Sequence, residues 1–192
     1  MKYLVISGNP KKDGLCASVC GEVLQGAADG GAETELLELD GIERCHVCGG
    51  GWGTCRKQHR CAFGQDGFDQ AQEKIRQADQ FCFITPVYWS EMAESLKCFF
   101  DRLRRCEALV FASRDERPPA LEGKQVLLLA SPGGSGNGAV ECLDQMDRFC
   151  RHTGAVIFDY ISVNRWNNDY KKKAACAAAR AMAEGRQAGK SI

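Results

Sequence analysis

Tyr3-Leu4-Val5-Ile6-Ser7-Gly8-Asn9-Pro10-Lys11-Lys12-Asp13-Gly14-Leu15-Cys16 is the stretch on which the fold turns. Its first four residues are an unbroken apolar run, the pattern of a strand buried on both faces, and Ser7-Gly8-Asn9-Pro10 stops it. Beyond it, Cys16, Val19, Cys20, Val23 and Ala27 recur at helical spacing until Gly30-Gly31 breaks the pattern. A buried strand that feeds a helix through a short turn opens a parallel βα unit.

The rest of the chain repeats that alternation. Glu33 to Leu39 alternates as a second strand nearer an edge, and Gly41 to Gln65 is loop-like and rich in Gly and Cys. Asp66 is placed to cap a helix whose apolar face is Phe68, Ala71, Ile75 and Ala78. Phe81 to Ile84 reads as the third strand, ended by Thr85-Pro86, and Met92, Leu96, Phe99, Phe100 and Leu103 mark the third helix. A polar connection, Arg114 to Pro119, leads to a fourth strand at Gln125 to Ala130 and a glycine-rich turn. A helix over Ala139 to His152, a strand over Ala155 to Val163 and an Ala-rich helix from about Asn168 complete the chain. The expectation is an α/β fold: a doubly wound five-stranded parallel sheet in the flavodoxin-like order 2-1-3-4-5, with a cysteine-rich loop after strand 2. Residues 1–192 are expected to form a single domain, with 41–65 as its insert.

Composition narrows the function. The chain has 192 residues, 44% of them hydrophobic and 26% charged, which is ordinary for a folded protein. Lys plus Arg is 25 and Asp plus Glu is 25, so the basic surplus that drives nucleic-acid binding is missing. No apolar run reaches the roughly 18 residues of a membrane span, and the N-terminal run is too short for a signal peptide. These readings predict a cytoplasmic protein with neither nucleic acid nor membrane as partner. The 12 cysteines stand out. In a reducing compartment such a density points to metal or redox chemistry rather than disulfides.

In a doubly wound sheet, ligands bind outside the carboxyl ends of the strands, where the strand order reverses. Three loops meet there. Ser7 to Cys16 feeds a helix N-terminus, which attracts anions; it can equally be a plain turn with two solvated lysines. Thr85 to Met92 carries Tyr88 and Trp89, which can wall a planar ring or simply join the core. Ser131 to Asn137 exposes backbone N–H groups suited to the polar edge of a heterocycle, or is only a tight turn. The pattern GxGxxG of dinucleotide folds is absent from the first loop.

Two of these segments carry a resemblance. Gly8 to Ser18 (GNPKKDGLCAS) and Thr85 to Arg102 (TPVYWSEMAESLKCFFDR) resemble the phosphate loop and the Pro-Val-Tyr segment of the NADPH-dependent FMN reductase-like flavoproteins of flavodoxin fold, and among them the iron–sulfur flavoproteins. The resemblance runs from Met1 to about Val163. It implies that the phosphate of FMN sits against Asn9, Lys11, Gly14, Leu15 and Cys16. The isoalloxazine lies along Pro86, Val87, Tyr88 and Trp89, with Ser131, Gly133 and Gly134 near its pyrimidine side. Asn9 stands where the family has Ser, and Cys16 where it has a hydroxyl; a thiol is the weaker donor.

The resemblance also implies a role for Cys45-x2-Cys48-x6-Cys55-x5-Cys61, since iron–sulfur flavoproteins hold a [4Fe–4S] cluster in the equivalent loop. Their middle gap is shorter. Four thiolates also suit zinc, with His46 or His59 able to replace one, and the loop can be empty. The other eight cysteines read as small core residues. Lys171-Lys172-Lys173 reads as a solvated helix face, and His152 as a favourable contact at a helix C-terminus.

The function that follows is FMN-dependent oxidoreduction with NAD(P)H as substrate, passing electrons to a small molecule or a ferredoxin-type partner. The flavin performs the chemistry, so no catalytic side chain is assigned. The rivals are an FMN-only quinone or flavin reductase without metal, and a non-catalytic zinc-binding or redox-sensing module. Family members imply a homodimer or homotetramer.

Overall fold

Every residue of β1 (Lys2–Ser7) after the first is buried, because the strand runs between β2 (Glu33–Glu38) and β3 (Gln80–Tyr88), parallel to both. The computed structural model describes residues 1–48, 53–109 and 118–188. Among them, the parallel strands follow the order β2-β1-β3-β5-β6, with β5 at Gln125–Ser131 and β6 at Val156–Ser162. This is the expected 2-1-3-4-5 sheet once the two-residue β4 (Glu91–Met92), antiparallel to β3, is set aside.

Side chains alternate across the sheet, and so the core has two layers. Leu4, Ile6, Phe81, Phe83, Val126 and Leu128 face α3 (Phe68–Gln77), α4 (Glu94–Glu107) and α5 (Ala139–Thr153). There Phe100 stacks on Phe149 with centroids 3.7 Å apart, and Phe83 meets both edge-on. The aromatic face of α4 is thus spent on the core. Tyr3, Val5, Cys82, Ile84, Leu127 and Leu129 face α1 (Gly14–Asp29) and α6 (Asn168–Ala183). These two helices touch at the backbone: a β-carbon at Gly26 would stand 2.1 Å from the Cys176 carbonyl oxygen.

Three expectations need correction. β3 does not end at Thr85-Pro86. It outlasts β1, whose Ser7 pairs with Ile84, and continues beside β5 with Pro86 opposite Ser131; a proline is tolerated where a strand has become an edge. The segment Gly41 to Gln65 is not all loop, for it holds the short helix α2 (Thr54–Gln58) and a 3-10 turn at Gly64–Asp66. Asp66 is not the N-cap of α3, a place that Gly67 takes with φ +98°; it accepts the Phe68 amide at 3.3 Å, and its stronger contacts are with the Glu43 N–H and Arg102. Gly49 to Trp52, inside the cysteine loop, and Arg114 to Arg117 of the polar connection lie outside the described residues. Among the described residues no helix is long and apolar enough to cross a membrane.

Candidate functional site

The first loop leaves β1 beside α4. Ser95 Oγ donates to the Gly8 carbonyl at 2.8 Å, and a β-carbon at Gly8 would press to 2.6 Å from Leu96 Cβ. Asn9 then closes an Asx turn, its Oδ1 accepting the Lys11 amide at 3.3 Å while its amide group donates to the Lys11 carbonyl. Gly14, at φ +84°, turns the chain into α1. No side chain caps α1 and its first turn carries no acid, so the amides of Gly14, Leu15 and Cys16 form an electropositive cradle beside Lys11. The Cys16 thiol itself is buried and turned inward. Its hydrogen bond with Cys20, together with burial, pushes it up and keeps it protonated. What Cys16 presents at this end of the sheet is its backbone.

The second loop proves to be a hairpin. Tyr88 pairs with Glu91 and Val87 with Met92, leaving Trp89 and Ser90 as a two-residue turn. Both have positive φ, 52° and 67°. That is the turn geometry for which Asn-Gly is the favoured sequence, so Trp89 and Ser90 hold the backbone under strain. Trp89 is 98% exposed, whereas Tyr88 is 49% exposed and borders a cavity. Thr85 Oγ1 accepts the Ala93 amide at 2.9 Å, tying the hairpin to the start of α4.

The third loop leaves β5 at the buried Ser131. Gly136 N–H bonds the Gly133 carbonyl at 3.1 Å to close a turn. Gly133 faces open space, whereas Gly134 is covered by the Arg165 guanidinium, which would lie 2.4 Å from a β-carbon there. Gly138, at φ +78°, rests on the hairpin tip: a β-carbon on it would come 2.6 Å from Ser90 Cα. Hairpin and third loop therefore form one wall.

Between the first loop, the hairpin, α4 and the chain after β2 opens a cavity of about 770 Å³. Of the expected flavin contacts, Asn9 and Tyr88 line it; the other lining residues include Asp40, Glu43, His46, Ser95 and Cys98. Lys11, Gly14, Leu15 and Cys16 do not line it: Lys11 lies in the first loop and the other three form the first turn of α1. Pro86, Val87, Ser131, Gly133 and Gly134 share the neighbouring carboxyl ends of β3 and β5. Trp89 is the outlier among them, pointing to solvent.

A second, smaller cavity gathers the cysteine loop. Cys45, Cys48, Cys55 and Cys61 all line it, joined by a fifth thiol, Cys106, and by Arg102 and Arg105. His46 borders both cavities; it sits 3.0 Å from Glu43 Oε2 and stacks on Phe63 at 4.4 Å. His59 does not join the thiols. Its Nδ1 lies 2.9 Å from the Cys106 carbonyl, so this nitrogen carries the proton, and its own carbonyl accepts from Gln72. Burial pushes the Cys55 thiol up.

Residues 1–168 match the family described as NADPH-dependent FMN reductase. The chain belongs to the NADPH-dependent FMN reductase family. Relatives include an iron–sulfur flavoprotein of Methanosarcina thermophila, 34% identical over 143 residues that cover 73% of this chain and 68% of that protein. An iron–sulfur flavoprotein of Methanocaldococcus jannaschii is 32% identical over 106 residues, 54% of this chain and 52% of that one. Among solved structures, the NAD(P)H:quinone oxidoreductase from Methanothermobacter marburgensis superposes with a TM-score of 0.71 at 19% identity, covering 97% and 99% of the two chains. That last likeness speaks to the fold alone.

The residues fit what an FMN reductase must hold. The uncapped head of α1 suits a phosphate, and the open backbone at Gly133 leaves room for a flat ring. Among the described residues, no three Cys, His, Asp or Glu side chains are gathered tightly enough to hold one metal ion. Zinc needs its thiolates about 2.3 Å from a single point. A cluster takes its thiolates on separate irons, and Arg105 and the Asp66-paired Arg102 also line this cavity. Four thiols at one cavity are the kind of donor set that an iron–sulfur cluster takes.

Proposed function

We propose that the chain is an FMN-dependent oxidoreductase that moves electrons between NAD(P)H or a reduced carrier and a small acceptor, with Cys45, Cys48, Cys55 and Cys61 holding a [4Fe–4S] cluster. The observation that carries this reading is the convergence of all four cysteines on one cavity, separated from the flavin-side cavity by His46.

Each residue then has a task. The amides of Gly14, Leu15 and Cys16, with Lys11, bind the phosphate, and Asn9 shapes the loop that presents them. Pro86, Val87 and Tyr88 support one side of the ring system, and the backbone at Ser131, Gly133 and Gly134 donates to its polar edge, favouring negative charge there. When bound, the flavin accepts hydride and releases single electrons, and the cluster carries electrons one at a time. No side chain is required as acid or base. Trp89 belongs to this machinery only where another subunit folds over the hairpin tip, in keeping with a homodimer or homotetramer.

The test is the visible spectrum of protein purified without oxygen, before and after dithionite, with iron and sulfide counted on the same sample. Flavin bands with a broad bleachable shoulder and about four irons per chain are expected. Flavin bands without iron would leave the FMN-only reductase, and a colourless protein that takes up no added FMN would overturn the reading.

A further inference from the structure

Arg102, in the middle of α4, is 2% exposed. A guanidinium taken out of water is costly unless it is paired and its N–H groups are used. Asp66 meets the charge through both carboxylate oxygens. Nη1 also donates to the Glu43 carbonyl at 3.0 Å and Nη2 to the Phe63 carbonyl at 2.8 Å, while the guanidinium carbon lies 4.3 Å over the Phe68 ring. These contacts explain why an arginine can be buried here. They do not explain the remaining one: Nη2 points at Cys61 Sγ, 3.4 Å away, across the wall of the cysteine cavity. The charge is already balanced by Asp66, and Nε is left without a partner. Nη2 has two N–H groups for three acceptors, the Phe63 carbonyl, Asp66 Oδ1 and Cys61 Sγ, so one of them is shared with the sulfur.

We propose that Arg102 is the positioning residue of Cys61: it holds the sulfur at the cavity wall through an N–H···S hydrogen bond and raises the reduction potential of a cluster bound there. The inference rests on the cluster reading above. Reduction adds negative charge to the cluster and its thiolates. A hydrogen bond to one sulfur favours the reduced form, and such contacts to sulfur are among the determinants of cluster potential. Lysine keeps the charge but is a single point without the fork. It cannot serve Asp66, the Phe63 carbonyl and Cys61 together.

The experiment compares the full-length wild type with Arg102→Lys and Arg102→Gln after anaerobic loading with iron and sulfide. Iron is counted, and the cluster midpoint is read by dye-equilibrated titration. At fixed potential the oxidised-to-reduced ratio is expected to rise on the order of tenfold in Arg102→Gln, a fall of about 59 mV for one electron, and by less in Arg102→Lys. Loaded variants with the wild-type midpoint would overturn the proposal, and so would loss of iron with an unchanged midpoint in the loaded fraction, the mark of a merely structural role. If neither variant takes up iron, the question passes to an Arg105→Lys protein grown on 15N-guanidino arginine. Spin-echo modulation from a guanidinium nitrogen coupled to the reduced cluster supports the contact, and its absence refutes it. Wild type that binds flavin but no iron would instead sink the cluster reading, and this proposal with it.

Discussion

Ser95 on α4 donates its hydroxyl to the carbonyl of Gly8, 2.8 Å away, so the first turn of α4 holds the chain where β1 gives way to the phosphate loop. Ser95→Ala removes the donor and leaves that carbonyl to find water. The expected cost is about 1 kcal/mol, seen as a lower urea midpoint. FMN dissociation, followed by the recovery of flavin fluorescence, should also quicken. A variant that matched wild type in both measurements would show that the contact holds nothing.

Position 133 separates flavin binding from folding. A β-carbon there comes within 4 Å of no residue beyond its chain neighbours, so Gly133→Val is expected to keep the wild-type thermal midpoint while losing more than about tenfold in FMN affinity, or 1.4 kcal/mol. Gly134→Val must first displace the Arg165 guanidinium, and its flavin loss would have two causes. Full FMN loading of Gly133→Val would remove this turn from the ring site.

The hairpin tip offers the opposite case, a gain in stability. Replacing Trp89-Ser90 by Asn-Gly puts the favoured pair into a turn whose two φ values are both positive. The double variant is expected to unfold at higher denaturant, by about 1 kcal/mol. If Trp89 is covered by another subunit, light scattering should at the same time report weaker association.

Acid should loosen the cysteine loop first. Burial alone would push the Asp66 carboxyl up, but hydrogen bonds from Arg102 and from the Glu43 and Phe68 amides outweigh it and hold the group below the usual carboxylate range. The unfolded chain therefore takes up the proton before the native one does. This contribution to stability is complete above about pH 5 and drains away as pH falls through the ordinary carboxylate value of about 3.9 towards the lower native one. Urea midpoints of metal-free protein between pH 6 and pH 3 should fall less steeply for Asp66→Asn than for wild type. Equal slopes would count against the pairing.

The elements that the periodicities outlined are those whose stability comes from one repeated contact. Tyr3 to Ile6 and Gln125 to Ala130 are buried whichever way a side chain points, and α5 and α6 present an apolar stripe at every turn. What could not be read arises between distant positions. Nothing near Arg102 in the chain announces that Asp66, 36 residues away, allows a guanidinium to be buried, and charge composition alone counts it as surface. What the sequence does not show at Trp89 is the two-residue turn, which throws its side chain outward. Pro86 looked like a stop because the sequence does not say that β3 outlasts β1. The four cysteines were legible as a group by spacing. Cys106 joined them unannounced, since it comes from α4 and is one of several cysteines that fill the core.

Gly138 resting on Ser90 makes the two sides of the ring site a single mechanical part. A ligand that moves Tyr88 must also move the turn behind it, and through that turn the start of α5. Binding should accordingly be registered well away from the ring. Amide hydrogen exchange at Gly136 to Val140 is expected to slow together with that of the hairpin when FMN is added.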